Sequence, residues 1–269
     1  MADSVTLETW NEQKCKPYLE RPIASSNKYR RGVLGCVTGD RKYPGAALIT
    51  SAAALATGVG MVRFLGPRNI RKQVIQFRPA VVLAQGRVDA LLIGSGLQLN
   101  AFKRLKINRL LKLEVPKLLD ASAITYAKKR PKLTIITPHY GELSKLMNIE
   151  STVIESDPAY YATKCAKEFE LTVLLKGHVT IAATSSRTIQ LPPAPATLAT
   201  AGTGDVLAGI LGALLAINHE KINETNLIEV GATASLIHSN SAMSASTTII
   251  NIETLITEIS NVIDSIYSK

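Results

Sequence analysis

Thr200-Ala201-Gly202-Thr203-Gly204-Asp205-Val206-Leu207-Ala208-Gly209 is the stretch on which the reading of this chain turns. Two glycines and a threonine precede one carboxylate, and an apolar run over 206–217 follows. The run predicts a buried helix whose start is built from small residues. The first N–H groups of a helix lack backbone partners, and with the helix dipole they draw an anion such as a phosphate. Asp205 stands beside that anion. As a structural residue it complements the dipole. As a chemical one it takes a proton from a hydroxyl, while the N–H groups of Ala201, Gly202, Thr203 and Gly204 form an anion hole for a phosphoryl group. The glycine context favours the second reading. Thr203 either donates its hydroxyl to phosphate or caps the helix. The pattern is not G-x-x-x-x-G-K-[ST], so a Walker-type NTPase is disfavoured.

Outward from this turn, apolar runs predict strands over 33–38, 60–65, 81–84, 90–93, 116–120 and 134–136. Helices are expected from Pro44 and over 70–77, 97–113, 138–146 and 157–169. Three strands with tight turns follow, 172–176, 180–183 and 188–191. The last third reads as helices over 205–217, 229–242 and 252–267. Residues 1–26 read as a polar arm, and the whole of 1–269 as a single domain. The alternation argues an α/β fold: a mostly parallel sheet covered on both faces, with antiparallel strands at one edge. In such sheets ligands bind beyond the carboxyl ends of the strands. That rim collects Gly39, Gly94 to Gly96, Asp120, Thr137 to Glu142 and Lys176-Gly177.

Composition narrows the function classes. Of the 269 residues, 46% are hydrophobic and 19% charged, which fits a compact domain and excludes a disordered chain. Aromatics at 5% argue against a nucleic-acid stacking platform, and no nucleic-acid-binding module is present. The net charge of +10 is either a solvated surface or an attraction for a polyanionic small molecule. Cys15, Cys36 and Cys165 are widely spaced with no C-x-x-C, which suits a reduced, cytoplasmic compartment. Residues 1–10 are polar and acidic, without the apolar core of a signal peptide. The 206–217 run is too short to span a bilayer.

Three more segments carry chemistry-bearing residues. Gly94-Ser95-Gly96-Leu97 starts like a dinucleotide fingerprint without its third glycine, and reads equally as a tight strand-to-helix turn. Thr137-Pro138-His139-Tyr140-Gly141-Glu142 sets a histidine at a helix start, where it either binds substrate or caps the helix. No second His or Cys lies at ligand spacing, so zinc is disfavoured. Lys176-Gly177 ends a strand: the lysine reaches a phosphate, or the glycine merely turns a hairpin.

In this order, the pieces resemble the ADP/ATP-dependent NAD(P)H-hydrate dehydratases, a branch of the ribokinase-like superfamily. The likeness runs from about Asn27 to the C-terminus. It rests on Asn27-Lys28-Tyr29-Arg30-Arg31-Gly32, Tyr43-Pro44-Gly45-Ala46-Ala47, Ile93-Gly94-Ser95-Gly96-Leu97, Leu119-Asp120-Ala121, Thr137-Pro138-His139-Tyr140-Gly141-Glu142-Leu143, Leu175-Lys176-Gly177 and Gly202-Thr203-Gly204-Asp205-Val206-Leu207. The Gly-Asp turn is shared across the superfamily; the Tyr-Pro-Gly-Ala-Ala and Thr-Pro-His-x-Gly-Glu segments single out the branch.

The resemblance implies a three-layer α/β/α sandwich that dehydrates the S-epimer of hydrated NADH or NADPH, with ADP or ATP as co-substrate and Mg²⁺. It implies Ala46, Gly96, His139 and Asp205 around the hydrate, with Asp205 as base. It implies Lys176, Gly177, His178, Val179, Thr180 and Gly204 around the nucleotide. No metal ligands are assigned. It further implies a homo-oligomer, a tetramer, with small-residue Ala/Ser helices packing between subunits. Neither nucleic acid nor membrane is an expected partner. The epimerase that many relatives carry as a fused domain is expected here as a separate chain. Four departures stand out: Ser95 replaces a usual proline, Ser122 the second acid of Asp-x-Asp, Tyr140 a common proline, and 192–198 lacks an Asn/Gly-rich approach. A ribokinase-like small-molecule kinase of a vitamin-precursor alcohol is the alternative, since the same base would serve it.

Overall fold

The computed structural model describes residues 6–245 and 249–268. Its strands are β1 (Leu7–Thr9), β2 (Val33–Val37), β3 (Met61–Phe64), β4 (Ala90–Ile93), β5 (Lys117–Leu119), β6 (Thr134–Ile136), β7 (Thr172–Leu175), β8 (Val179–Ala183) and β9 (Thr188–Pro193). Its helices are α1 (Glu12–Cys15), α2 (Pro44–Ala56), α3 (Arg71–Phe77), α4 (Ala101–Leu110), α5 (Tyr140–Met147), α6 (Ser151–Ser156), α7 (Pro158–Phe169), α8 (Thr203–Ile217), α9 (Leu227–Ser244) and α10 (Ile252–Ser268). One sheet takes the order β1-β9-β8-β7-β6-β5-β4-β2-β3. Pairing is parallel except β7 with β8 and β8 with β9. Thus β8 runs against its neighbours, and β9 and β1 return to the common direction.

Strand residues alternate between two cores, as a pleat requires. Leu34, Cys36, Leu92, Leu118, Ile135 and Leu174 face the layer of α2, α8, α9 and α10. Val37, Leu91, Ile93, Leu119, Ile136, Val173 and Leu175 face α4, α5, α6 and α7. Both faces are buried, which explains the unbroken apolar runs. Among the described residues no helix is long and apolar enough to cross a membrane.

Three expectations need correction. The N-terminal segment does more than lie over the domain, although residues 1–5 fall outside the described residues. Leu7, Glu8 and Thr9 pair in parallel with Thr188, Ile189 and Gln190. Arg187 holds Glu8 through two contacts of 2.9 Å and Glu229 of α9 at 2.8 Å, while buried Trp10 reaches Thr233. The short strand expected at 81–84 reduces to a single bridge between Val82 and Arg63. The small-residue face of α2 is spent inside the chain. A Cβ at Gly209 of α8 would stand 2.5 Å from the Thr50 carbonyl and 2.7 Å from Ala53, so glycine lets the two helices touch backbone to side chain. That face is therefore not free to pack between subunits.

Candidate active site

The carboxyl ends of β2, β4, β5, β6 and β7 open on one rim, and each contributes a loop. Gly39, after β2, donates its N–H to the Ser95 carbonyl at 2.7 Å and joins the first two loops. After β4 the chain turns on Gly94 (φ 123°) and Gly96 (φ 63°). A Cβ at Gly94 would lie 1.9 Å from the Asp120 carbonyl, and one at Gly96 would lie 2.4 Å from the Cβ of Ala46. Left-handed backbone and tight neighbours both demand glycine here. Gly96 and Ala46, the latter in the first turn of α2, are thereby in contact range.

Asp120, after β5, is buried and fully engaged. Ser95 donates to Oδ2 at 2.7 Å, Thr137 to Oδ1 at 2.8 Å, and the Lys176 ammonium to Oδ1 at 3.3 Å. The Ser95 hydroxyl thus ties the glycine turn to Asp120. Lys176, after β7, is fixed through its backbone, whose N–H reaches the Pro138 carbonyl at 2.7 Å. Its Nζ also lies 3.8 Å from Glu142. Burial alone would lower its pKa, but Asp120, Glu142 and Asp205 outweigh it and keep the ammonium charged.

His139 is the N-cap of α5. Its Nδ1 accepts the Gly141 N–H at 3.1 Å, and Glu142 accepts the His139 N–H at 2.9 Å, completing a capping box. The ring is 60% exposed, with Nε2 3.6 Å from Glu142. The two sequence readings of His139 are therefore compatible: one nitrogen caps, and the exposed ring remains on the rim. A Cβ at Gly177 would stand 2.3 Å from the Tyr140 hydroxyl, so the glycine makes room for the tyrosine.

At the start of α8, Gly202 is left-handed at φ 94°. The Thr203 N–H turns back to Thr200 at 3.4 Å, and Val206 to Gly202 at 3.1 Å. Among the described residues the N–H groups of Ala201, Gly202, Gly204 and Asp205 have no backbone acceptor. Thr203 differs from the expected donor set, and its hydroxyl is also committed, to the carbonyls of Leu198 and Thr200 at 2.8 Å each. It shapes the approach to the helix. A methyl at Gly204 would be 3.9 Å from Lys176 Nζ, so the ammonium faces the first turn. Burial raises the Asp205 carboxyl to about 7; the charge of Asp120 adds to this and Lys176 opposes it. A carboxylate poised near neutrality beside a cation and unpaired N–H groups is suited to general-base work at a phosphoryl-transfer site.

A cavity of about 560 Å³ opens next to this turn. His139, Lys176, Gly177, His178, Thr180, Thr203 and Gly204 line it, with the apolar Ala194, Pro195, Leu198 and Leu207. Val179 instead packs into the core beneath α5 to α7. Sequence reasoning missed His238 of α9, which also lines the cavity. Its only signal was a histidine inside an apolar helix. It named Asp120 on the rim without seeing its partners.

The fold is ribokinase-like. A ribokinase-like superfamily protein of Enterococcus faecalis superimposes with a TM-score of 0.84 at 20% identity, over 97% of this chain and 96% of that one. The ADP/ATP-dependent NAD(P)H-hydrate dehydratase from Bacillus subtilis, co-crystallized with ATP/Mg²⁺, gives 0.82 at 22% identity, over 98% and 99%. Within that fold class the family is fixed by sequence: the NAD(P)H-hydrate dehydratase model (Carb_kinase) matches residues 34–265, and the chain belongs to that family. The bifunctional NAD(P)H-hydrate repair enzyme Nnr of Mycobacterium leprae is 37% identical over 74% of this chain and 44% of its own length. The chain spans about half the length of the first curated relatives it matches. The ADP-dependent (S)-NAD(P)H-hydrate dehydratase of B. subtilis is 28% identical over 78% of this chain and 82% of its own length.

Proposed function

We propose that the chain uses ADP or ATP to dehydrate the S-epimer of hydrated NADH or NADPH, restoring the dihydronicotinamide. The observation that carries this reading is Asp205, raised to about 7, at the N-terminus of α8 and opposite Lys176, within a chain of this family. Asp205 takes the proton of the C6 hydroxyl as its oxygen attacks the terminal phosphorus of the nucleotide. The N–H groups of Gly202 and Gly204, with the Lys176 ammonium, hold the phosphoryl oxygens as their charge redistributes. AMP leaves when ADP is the donor. The C6–O bond then breaks with the pair on phosphate, a far better leaving group than hydroxide, and loss of the C5 proton restores the double bond. Ala46, Gly96 and the exposed face of His139 bound the hydrate. The cavity beside Lys176 to Thr180 holds the nucleotide.

Mg²⁺ fits this site as a companion of the nucleotide rather than of a protein cage. Asp120 is filled by two hydroxyls and an ammonium, and Glu142 by the cap and Lys176. Phosphate oxygens and water would hold the ion, which would offset phosphate charge.

The proposal extends to a homo-oligomer, a tetramer. Its support is the exposed apolar side chains Ile75 and Phe77 of α3 and Phe102 and Leu105 of α4. It further includes a cytoplasmic setting, which three buried thiols with no disulfide suit, and a separate epimerase supplying the S-epimer. The test mixes the protein with NADH hydrate, Mg²⁺ and either nucleotide and follows regained NADH absorbance. Recovery is expected with at least one nucleotide. Its absence with both sinks the dehydratase reading, and phosphorylation of an added alcohol would favour the kinase.

A further inference from the structure

The positive charge of the chain is gathered in one segment. Residues 61–113 hold eleven lysines and arginines and a single acid, Asp89, while the other positions carry twenty cations and twenty acids. Arg87 already pairs with Asp89. The fold draws three of the remaining cations together beyond the carboxyl end of β3. Lys106 of α4 reaches across to the Leu65 carbonyl just after β3, and Arg68 and Arg71 follow in the next turns of the chain. Among the described residues neither arginine makes a side-chain hydrogen bond or an ion pair, and Lys106 has no carboxylate partner. Only Nε of Arg71 is buried; its two Nη groups are open, and Arg68 is exposed. Burial, then the charges of Arg71 and Arg68, push the Lys106 pKa below its ordinary value. Like charges gathered without a counter-charge repel, and an anion between them relieves that cost.

Sheet order selects the anion. The cavity read as the nucleotide site lies beside β7 and β8, through Lys176 to Thr180. Ala46 and Gly96, which bound the hydrate, follow β2 and β4, and β3 is the next and last strand outward. The loops beyond these strands touch. A Cβ at Gly39 would lie 2.7 Å from Ala47 and 2.9 Å from Ile70, and one at Gly66 would lie 2.8 Å from the Thr38 carbonyl. Lys103, one turn before Lys106, holds Asp40 and donates to the Gln98 carbonyl at 2.9 Å. The reacting ring meets the nucleotide at Asp205, so the rest of a dinucleotide substrate runs the other way, towards β3. We propose that Arg68, Arg71 and Lys106 bind a phosphate of the substrate's dinucleotide tail, either the 2′-phosphate of NADPH hydrate or the pyrophosphate that both hydrates carry. Guanidinium forks and an ammonium suit phosphate oxygens. The inference rests on the dehydratase reading.

The test measures KM and kcat for NADPH hydrate, NADH hydrate and the nucleotide on wild type, Arg68→Ala, Arg68→Lys, the double variant Arg68→Ala with Arg71→Gln, and Lys128→Ala. Lys128 is exposed, lies outside the cluster and controls for net charge. The double variant should raise KM for NADPH hydrate roughly tenfold or more, with the effect on KM rather than kcat and with no rise in KM for the nucleotide. A rise for NADPH hydrate alone assigns the 2′-phosphate; an equal rise for both hydrates assigns the pyrophosphate. Arg68→Lys, which keeps the charge, should lose less than Arg68→Ala. KM values that stay at wild type for both hydrates overturn the proposal. So does a rise confined to the nucleotide, or one that Lys128→Ala reproduces. Arg68 is exposed and unpaired, so Arg68→Ala decides by a smaller shift if the double variant does not fold. Wild type that turns over neither hydrate would overturn the dehydratase reading itself, and this assignment with it.

Discussion

Two lysines on this sheet, one half-buried and one fully buried, make an instructive pair. Lys176 follows β7 at the carboxyl end of the strands, and Lys117 opens β5 at the amino end. Lys176 meets Asp120 and Glu142 within 4 Å and feels Asp205, and its ammonium is held above its ordinary pKa. Lys117 is 1% exposed and donates only to the carbonyls of Val115 at 2.8 Å and Lys132 at 3.2 Å. Burial lowers it from 10.5 to about 8, with only Glu114 opposing. Burial alone does not make a site. At the carboxyl end, loops from parallel strands converge and bring carboxylates to the cation. At the amino end the same residue type meets backbone oxygen and bears an uncompensated desolvation cost.

The sharpest way to break this contrast is Lys176→Met. The account predicts a loss of about a hundredfold or more in turnover, because a preorganised cation is withdrawn from the phosphoryl group. Steady-state rates of NADH recovery check it. Lys117→Met should leave turnover unchanged and raise stability near pH 7 by up to about 3 kcal/mol, the linkage value of the shift. The sign follows from protons bound. Between about pH 8 and 10.5 the unfolded lysine holds the proton and the folded one does not, so wild type gains stability as pH rises there. The advantage of the methionine variant should therefore shrink across that window in denaturant titrations. The smallest expected effect is Asp120→Asn. Removing its charge lets the Asp205 pKa fall, so the acid limb of kcat/KM should move down by about one pH unit. An unmoved limb would show that Asp120 only holds Lys176 and Ser95 in place.

The same contrast separates what the sequence disclosed from what it hid. The Gly-Thr-Gly-Asp turn, the glycine pair around Ser95 and the His139 cap were legible because each is a local backbone event with its own residue signature. So were the buried strands, whose apolar runs reflect burial on both faces. β1 was not legible: Leu7 to Thr9 are strand only because Thr188 to Gln190 pair with them, and Arg187 anchors Glu8. The filled shell of Asp120 comes from three separate loops, at Ser95, Thr137 and Lys176. His238 has no motif around it, and it lines the cavity only because α9 packs beside α8.

Asp205 carries the central claim. Raised to about 7 from 3.8, its ionisation costs folding stability increasingly between about pH 4 and 7, and Asp205→Asn removes that cost above the window. The decisive measurement compares Asp205→Asn with wild type at pH 8, following NADH recovery from the hydrate and calorimetric affinity for ADP or ATP in parallel. The account predicts roughly a thousandfold loss of turnover or more, nucleotide affinity retained, and a folded protein at least as stable as wild type. Turnover equal to wild type would contradict it and remove Asp205 as the base.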